Sequence, residues 1–287
     1  MLVASDFREQ ARNALSGKWG LAIGTGFVAG LLGAGTIFTA SADSIDTESY
    51  EESMAGMPED AALVMSMILL VMLCISLIYA LVILIVGGPV TLGYVKFNLG
   101  LVDYGTPQFN DIFSQFNRFG AGFLVNFLRN LYVALWTMAF VLPGVIVSVL
   151  FGVAAGVALG EEVIAAAVVI ILLAALIPAL IFVTVKQYSY AMAPYILYEN
   201  PSMSANQAIK ESTELMKGNK WRLFCLCFSF IGWLLLSIFF TCGIGMFWVK
   251  PYQEAAFAAF YREIAREKYG STISGYRIVD GSAGTNW

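Results

Sequence analysis

The chain has 287 residues, of which 59% are hydrophobic and only 13% charged, and its mean hydropathy is +0.76. Soluble domains are about half apolar and a quarter charged, so this composition excludes an ordinary water-soluble fold. The net charge of −4 argues against nucleic acid as a partner, and the absence of histidine removes the commonest general base and metal ligand. We therefore expect no enzymatic activity, no metal and no cofactor.

The apolar runs predict an all-α, polytopic bundle of about six transmembrane helices in a single membrane domain, residues 1–270, followed by a polar tail, residues 271–287. A helix needs about 20 apolar residues to cross the hydrocarbon core, because every backbone polar group must be hydrogen-bonded internally there. The expected spans are residues 19–40, 63–86, 123–150, 163–185, 223–240 and 246–261. Gly87, Gly88 and Pro89 predict the end of the second span.

The distribution of charge orients these spans. With six spans and both termini in the cytoplasm, the basic connectors all fall on one side, as the positive-inside rule requires. Their cations are Arg8, Arg12, Lys18, Lys96, Arg118, Lys186, Lys210, Lys217, Lys220, Arg222, Arg262, Arg266, Lys268 and Arg277. The opposite connectors carry only acidic residues, namely Asp43, Asp46, Glu48, Glu51, Glu52, Glu59, Asp60, Glu161 and Glu162. The pattern predicts a multi-pass protein with cytoplasmic termini.

Two connectors on the basic side have patterns of their own. Residues 89–122 alternate aromatic and polar side chains, which indicates either a segment in the headgroup region or a loop that covers the bundle. Four tyrosines are typical of an interfacial aromatic belt: Tyr188, Tyr190, Tyr195 and Tyr198. Ser204 and Gln207 have the spacing of a capping box, so residues 202–218 predict an amphipathic helix on the cytoplasmic side. This helix either docks another membrane or cytoplasmic protein or seals the bundle.

Ionisable residues inside the spans are the candidate site residues, because charge in hydrocarbon is costly unless it is paired or hydrated. Asn126, Arg129 and Asn130 follow the i, i+3, i+4 spacing of one helix face, where the guanidinium could hold a lipid phosphate or an anionic substrate. The alternative is that Arg129 snorkels to the interface or bonds to a neighbouring helix. Lys250 and Glu254 lie one turn apart and form either a structural ion pair or a proton relay.

Several ordered blocks resemble the bacterial membrane proteins of domain of unknown function 975, a family common in Gram-positive bacteria. The longest blocks are YSYAMAPYILYEN at 188–200, AIKESTELMKGNKWRLF at 208–224 and GIGMFWVKPYQEAAFAAFY at 243–261. Shorter ones lie at 7–19 and 88–99. The resemblance implies a bacterial cell-membrane location and brings no known activity, ligand or catalytic residue.

These features together predict a non-enzymatic accessory or binding component of the cell envelope, with membrane lipids as partners. The alternative is a transporter or channel for a small solute, such as an anion, that uses Arg129 and Lys250. A cavity that reaches either residue from one side would favour transport, whereas a closed bundle would favour the accessory role.

Overall fold

The computed structural model describes residues 2–34, 59–155 and 161–270, and every regular element in these ranges is helical. In chain order they are α1 (Ala4–Leu15), α2 (Trp19–Leu31), α3 (Glu59–Val102), two 3₁₀ turns (Phe109–Phe113 and Phe116–Arg118), α4 (Phe119–Ala155), α5 (Glu161–Tyr190), α6 (Ala193–Glu199), α7 (Ala205–Leu215), α8 (Lys220–Thr241) and α9 (Met246–Tyr269). The all-α prediction is confirmed. Most of the acidic connector and the polar tail lie outside the described residues.

Four stretches of the described helices are long and apolar enough to cross a membrane. They are Leu63–Val102, Phe109–Ala154, Ala167–Glu199 and Lys220–Thr241. The first predicted span is represented by α2, which is apolar but has only 13 described residues. The sixth is represented by α9, which carries Lys250 and Glu254. The structure therefore supports a membrane protein with four candidate spans where the sequence predicted about six.

The helix of the second predicted span does not end at Gly87, Gly88 and Pro89, because α3 continues through these residues to Val102. The glycines allow two helices to approach closely. A Cβ atom on Gly88 would collide with the backbone carbonyl of Gly122 on α4. Small residues at a helix crossing are common in membrane bundles, so tertiary packing here outweighs the tendency of glycine and proline to end a helix.

The two halves of α3 have different surroundings. Its first half, from Leu63 to Ile85, is exposed almost throughout, as expected of a helix surrounded by lipid. Its second half is buried, and Val90, Leu92 and Leu101 are fully enclosed. The alternative of a covering loop is therefore corrected for the first part of residues 89–122, which is a buried helix of the core.

The second half of α9 lies at the centre of the hydrophobic core. Its buried residues include Ala255, Ala256, Ala258, Ala259, Phe260 and Tyr261. On one side α1 packs against it through an edge-to-face contact of Phe7 with Phe260, with ring centroids 5.3 Å apart. On another side α2 packs against its start through Phe27 and Phe247 at 5.5 Å. The alanines allow these close approaches, which explains why a helix with several charges can be so deeply enclosed.

The predicted segment 202–218 contains the helix α7, Ala205–Leu215. Ser204 Oγ accepts a hydrogen bond from the Gln207 N–H at 3.3 Å, and Gln207 Oε1 accepts from the Ser204 N–H at 2.9 Å, so the capping box is present. Gly218, which follows the helix, has φ of +81°. The apolar face is buried against the core through Ala205, Ala208, Ile209, Ser212 and Leu215. That face is therefore used within the chain itself.

Candidate functional site

The ionisable residues predicted on two separate spans interact electrostatically in the structure. Lys250 on α9 and Arg129 on α4 both interact electrostatically with Glu254. The Arg129 guanidinium also donates a hydrogen bond to Asn126 Oδ1 at 3.1 Å. We call Asn126, Arg129, Lys250 and Glu254 the interior charge cluster. It brings charged residues of α4 and α9, two helices that are far apart in sequence, within electrostatic range of each other.

Asn130 is the one predicted site residue that lies outside the interior charge cluster, and it is exposed. An α-helix turns by about 100° per residue, so the adjacent positions 129 and 130 cannot face the same neighbouring helix. Arg129, Lys250 and Glu254 are half-buried, and Asn126 is buried at 8% exposure. The i, i+3, i+4 spacing grouped Asn130 with Arg129, but Arg129 is half-buried in the structure whereas Asn130 faces outward.

Two buried tyrosines complete the surroundings of the cluster. Tyr94 on α3 and Tyr195 on α6 are 5% and 6% exposed, and both interact electrostatically with Glu254. The Tyr195 ring stacks on that of Tyr261 with centroids 5.0 Å apart. Tyr190 is also buried, so the predicted interfacial belt is wrong for Tyr190 and Tyr195. Tyrosine is readily buried when its hydroxyl meets polar groups, and here it does so in the core.

Helix α2 packs next to the surroundings of the cluster at Gly26, where the absence of a side chain allows a close approach. A Cβ atom on Gly26 would lie 3.1 Å from the hydroxyl oxygen of Tyr94 and 3.3 Å from Cγ of Pro251. Two polar side-chain atoms are buried here without a hydrogen-bond partner. They are Oε1 of Gln253, the residue next to Glu254, and Oγ1 of Thr25 on α2. A buried polar atom of this kind is costly unless a water or a ligand satisfies it. The interface of α9 with α2 and α3 therefore has capacity to bind a polar group.

A second charged network was not predicted from the sequence. Arg262 on α9 donates from Nε to Asp103 Oδ1 at 3.0 Å and also bonds Glu199, while Tyr261 donates to Glu199 Oε2 at 2.6 Å. This network ties the end of α3 and the end of α6 to α9. One signal could have indicated it, because carboxylates are unfavourable at helix C-termini unless a cation elsewhere compensates them.

Two cavities lie near these elements. One of about 400 Å³ borders the second network, with Lys96, Asp103, Gln108, Asp111 and Arg262 among its lining residues. The other, of about 470 Å³, runs along α7 and includes Gln207, Lys210 and Glu211. Neither of these two cavities is lined by a member of the interior charge cluster. Within the described ranges, no three acidic or cysteine side chains come together as metal ligands would.

The comparisons with known proteins give one match. Neither a curated protein nor a solved structure was found to match the chain. The sequence matches the family described as "Protein of unknown function (DUF975)" over residues 1–268, a range that includes all of the interior charge cluster. The chain therefore belongs to the DUF975 family, as its ordered sequence blocks implied.

Proposed function

We propose that this protein is a non-enzymatic binding component of the bacterial cell envelope, which holds an anionic group of a membrane lipid at the interior charge cluster. The observation that carries the proposal is the electrostatic interaction of Glu254 on α9 with both Lys250 and Arg129, the latter on α4. A guanidinium has five donors in a planar fork that matches phosphate oxygens. One of these donors bonds Asn126, which orients the group and leaves others for a ligand.

A solute path would need an opening that leads through the bundle to Arg129 or Lys250, whereas a lipid headgroup needs only lateral access to one of these half-buried side chains. Neither of the two cavities described above is lined by either residue, so neither supplies a solute path to the cluster. The absence of histidine from the sequence further supports a role without acid–base catalysis. A binding or accessory role therefore agrees better with the structure than a transporter or an enzyme does.

We also propose six spans with both termini in the cytoplasm. Arg222 at the start of α8 pairs with Glu267 at the end of α9 at 2.7 Å, so α9 returns to the side from which α8 begins. Lys18, before α2, donates to the Gly105 carbonyl, after α3, at 2.8 Å. If α8 and α3 each cross the membrane, α9 and the apolar run that begins with α2 must cross it too. This parity supports two spans beyond the four apolar candidates.

The same contacts gather the cations of separate connectors at one end of the bundle. Arg118 donates to the Leu197 carbonyl at 3.2 Å, and Arg262 bonds Asp103 near Lys18 and its partner. That end is the cytoplasmic one by the positive-inside rule. On it, the exposed polar face of α7 offers a surface for a second membrane or cytoplasmic protein.

Substitution of Arg129 tests the binding proposal. We expect Arg129→Ala to copurify with several-fold less anionic phospholipid per protein molecule than the parent, and Arg129→Lys to retain an intermediate amount because the charge remains without the fork. The matched control is Asn130→Ala, which changes an exposed residue next to the site. Lipids would be quantified by mass spectrometry after purification in a mild detergent, with thermal unfolding as a check of the fold. Unchanged anionic lipid in a folded Arg129→Ala protein would overturn the proposal.

A further inference from the structure

The two 3₁₀ turns and the start of α4 display a row of exposed phenylalanines. We call Phe109, Phe113, Phe116 and Phe119 the phenylalanine stripe; they are 43%, 39%, 38% and 38% exposed. The rings of Phe109 and Phe113 are 6.2 Å apart between centroids, and those of Phe113 and Phe116 are 6.0 Å apart. Contiguous exposed apolar surface of this kind marks an interaction site.

The segment that carries the stripe is firmly attached to the core on its other side. Ile112 is fully buried, and its carbonyl is so close to α3 that a Cβ atom on Gly93 would collide with it. Asp111 pairs with Lys96 of α3 at 2.7 Å. A loop that only covered the bundle would need this inward face alone. The outward phenylalanines therefore need a separate partner.

The stripe continues into the apolar surface of a candidate membrane span. From Phe119 the row proceeds along α4 at every fourth position, through Phe123, Phe127, Leu131 and Leu135. Centroid distances are 6.4 Å from Phe119 to Phe123 and 5.7 Å from Phe123 to Phe127. Leu131 and Leu135 are 38% and 52% exposed and belong to the candidate span Phe109–Ala154. The same surface that meets lipid on α4 thus extends to the 3₁₀ turns.

The position of the phenylalanine stripe along the axis of α3 matches the level expected for the membrane–water interface. The exposed apolar half of α3 ends at Ile85, whereas Gly88 touches Gly122, and Lys96 pairs with Asp111. At 1.5 Å per residue, positions 88 to 96 lie about 5 to 17 Å beyond that end. The polar headgroup layer begins where the hydrocarbon core ends. The turns therefore lie beside α3 at headgroup level.

We propose that the phenylalanine stripe inserts between the headgroups and acyl chains of one leaflet and anchors the 3₁₀ turns to the lipid surface. The contact is apolar, because the nearby cations are already engaged within the chain. Lys96 pairs with Asp111, and Arg118 donates to the carbonyls of Leu197 and Pro201 at 3.2 and 3.3 Å. A zwitterionic phospholipid surface is therefore sufficient as the partner. This site is separate from the interior charge cluster.

The test uses nitroxide spin labels on the full chain with its four cysteines replaced by alanine. Phe113→Cys and Phe116→Cys report on the stripe, Leu77→Cys on the exposed half of α3, and Lys210→Cys on the polar face of α7. Each variant is reconstituted in nanodiscs of phosphatidylcholine, with or without phosphatidylglycerol. We expect labels at 113, 116 and 77 to collide more with oxygen, which concentrates in lipid, than with a water-soluble nickel chelate. The label at 210 should show the reverse order.

Three results would overturn the proposal. Labels at 113 and 116 that collide mainly with nickel, as at 210, would place the stripe in water. Labels that neither reagent reaches would mean that protein covers the stripe. Oxygen accessibility that requires phosphatidylglycerol would mean that charge, not apolar contact, drives the association. Thermal unfolding checks each variant, and Phe109→Cys, at the most exposed position, gives the same measurement if a label at Phe113 disturbs the fold.

Discussion

Gly93 and Gly88 determine how closely α3 approaches its neighbours. A Cβ atom on Gly93 would collide with the Ile112 carbonyl, and one on Gly88 with the Gly122 carbonyl. Inside a helix, glycine is about 1 kcal/mol less favourable than alanine, so helix propensity does not explain either residue. The close approach of neighbouring backbone explains why glycine is present at both positions. It also explains why α3 continues through residues 87–89, where the local sequence suggests a helix end.

Gly93→Ala should destabilise the protein because the 3₁₀ turn over Phe109–Phe113 must move to accommodate the methyl group. Overpacking of this kind costs about 1–3 kcal/mol, so the unfolding temperature should fall by several degrees. The matched control is Gly232→Ala on α8, where a Cβ atom would meet nothing within 4 Å. That variant should be unchanged or slightly more stable, because alanine is the better helix former. Tryptophan fluorescence during heating in detergent measures both, and equal unfolding temperatures would contradict the packing at Gly93.

The candidate site could be predicted from the sequence only in part. Arg129, Lys250 and Glu254 were recognisable because charge within an apolar run is rare. Their mutual electrostatic interaction could not be predicted, since nothing local to α4 or α9 specifies how close these helices come in the fold. The bond of Arg262 to Asp103 and Glu199 escaped prediction for the same reason.

At the scale of elements, Ser212 of α7 joins the end of α5 to the start of α6. Its hydroxyl donates to the Ser189 carbonyl at 2.8 Å and accepts from the Met192 N–H at 3.2 Å, in a fully buried position. Carbonyls in the last turn of a helix and N–H groups before the first turn have no partner within the helix. One side chain of α7 therefore satisfies both helix ends.

Ser212→Ala should be markedly destabilising, because it leaves a buried carbonyl and a buried N–H unpaired. The loss is expected to be about 1–3 kcal/mol. Thr213→Ala is the control, since the Thr213 hydroxyl only donates to the Ile209 carbonyl of its own helix, at 3.0 Å. We expect that variant to change stability by less than about 0.5 kcal/mol. Similar thermal shifts in the two variants would argue against the bridging role of Ser212.

A second attachment of α7 is sensitive to pH. Glu211 accepts hydrogen bonds from the Tyr269 hydroxyl and from Lys268 Nζ, the latter at 2.9 Å. These two bonds, Tyr269 first, hold the pKa of the Glu211 carboxyl below its usual range. A carboxyl with a depressed pKa in the folded state stabilises the protein above its unfolded pKa of about 4.3, and the contribution is lost as the pH falls through the folded value.

Glu211→Gln should therefore lower the unfolding temperature slightly at pH 7, and the difference from the parent should disappear as the pH falls below about 4. The effect should be under about 1 kcal/mol, because the side chain is 33% exposed and solvent screens the pair. Glu214→Gln is the control, because the ion pair of Glu214 is with Lys217, beside the same helix, and not with a residue of α9. A pH series of thermal scans gives the comparison, and a difference that persists at low pH would refute the assignment.

The elements also show which patterns are readable in a sequence. The capping box of α7 and its apolar face depend on residues three and four positions apart, so local spacing was sufficient to predict them. The course of α3 through Gly88 depends on α4, and the burial of Tyr195 depends on Tyr261 of α9. Features fixed by a distant element could not be derived from a window of sequence.

The whole molecule is divided between a packed part and an exposed apolar part. The core is formed mainly by α1, α6, α7 and the second halves of α3 and α9, with buried residues of α2 and the first half of α8. Exposed large apolar side chains concentrate over residues 63–85, 131–153, 167–181 and 228–248. Composition predicted the amount of apolar surface. It could not predict which helices form the core and which are exposed, because the sequence of a helix that is apolar on every side does not indicate which face is buried.

The turn between α8 and α9 provides the test of the six-span arrangement. Cys242 and Gly243 close it with φ values of +47° and +88°, and the Gly243 N–H donates to the Ser237 carbonyl at 3.0 Å. Cys242 is exposed, and Cys74, Cys225 and Cys227 can be replaced by alanine so that it is the single thiol. Because Glu267 pairs with Arg222 at the opposite end of this hairpin, the location of Cys242 reports on both helices.

A membrane-impermeant maleimide should label Cys242 in intact cells, because the positive-inside rule places the basic end of the hairpin in the cytoplasm and the turn outside. The control introduces Lys210→Cys on α7 in a chain without other cysteines, and it should react only after the membrane is permeabilised. If Cys242 reacts only after permeabilisation, or not at all, then α8 and α9 do not carry the chain across the membrane. At most four spans would then remain, those of α3, α4, α5 and the apolar run that begins with α2. Because four is also an even number of crossings, both termini would still lie on the same side of the membrane.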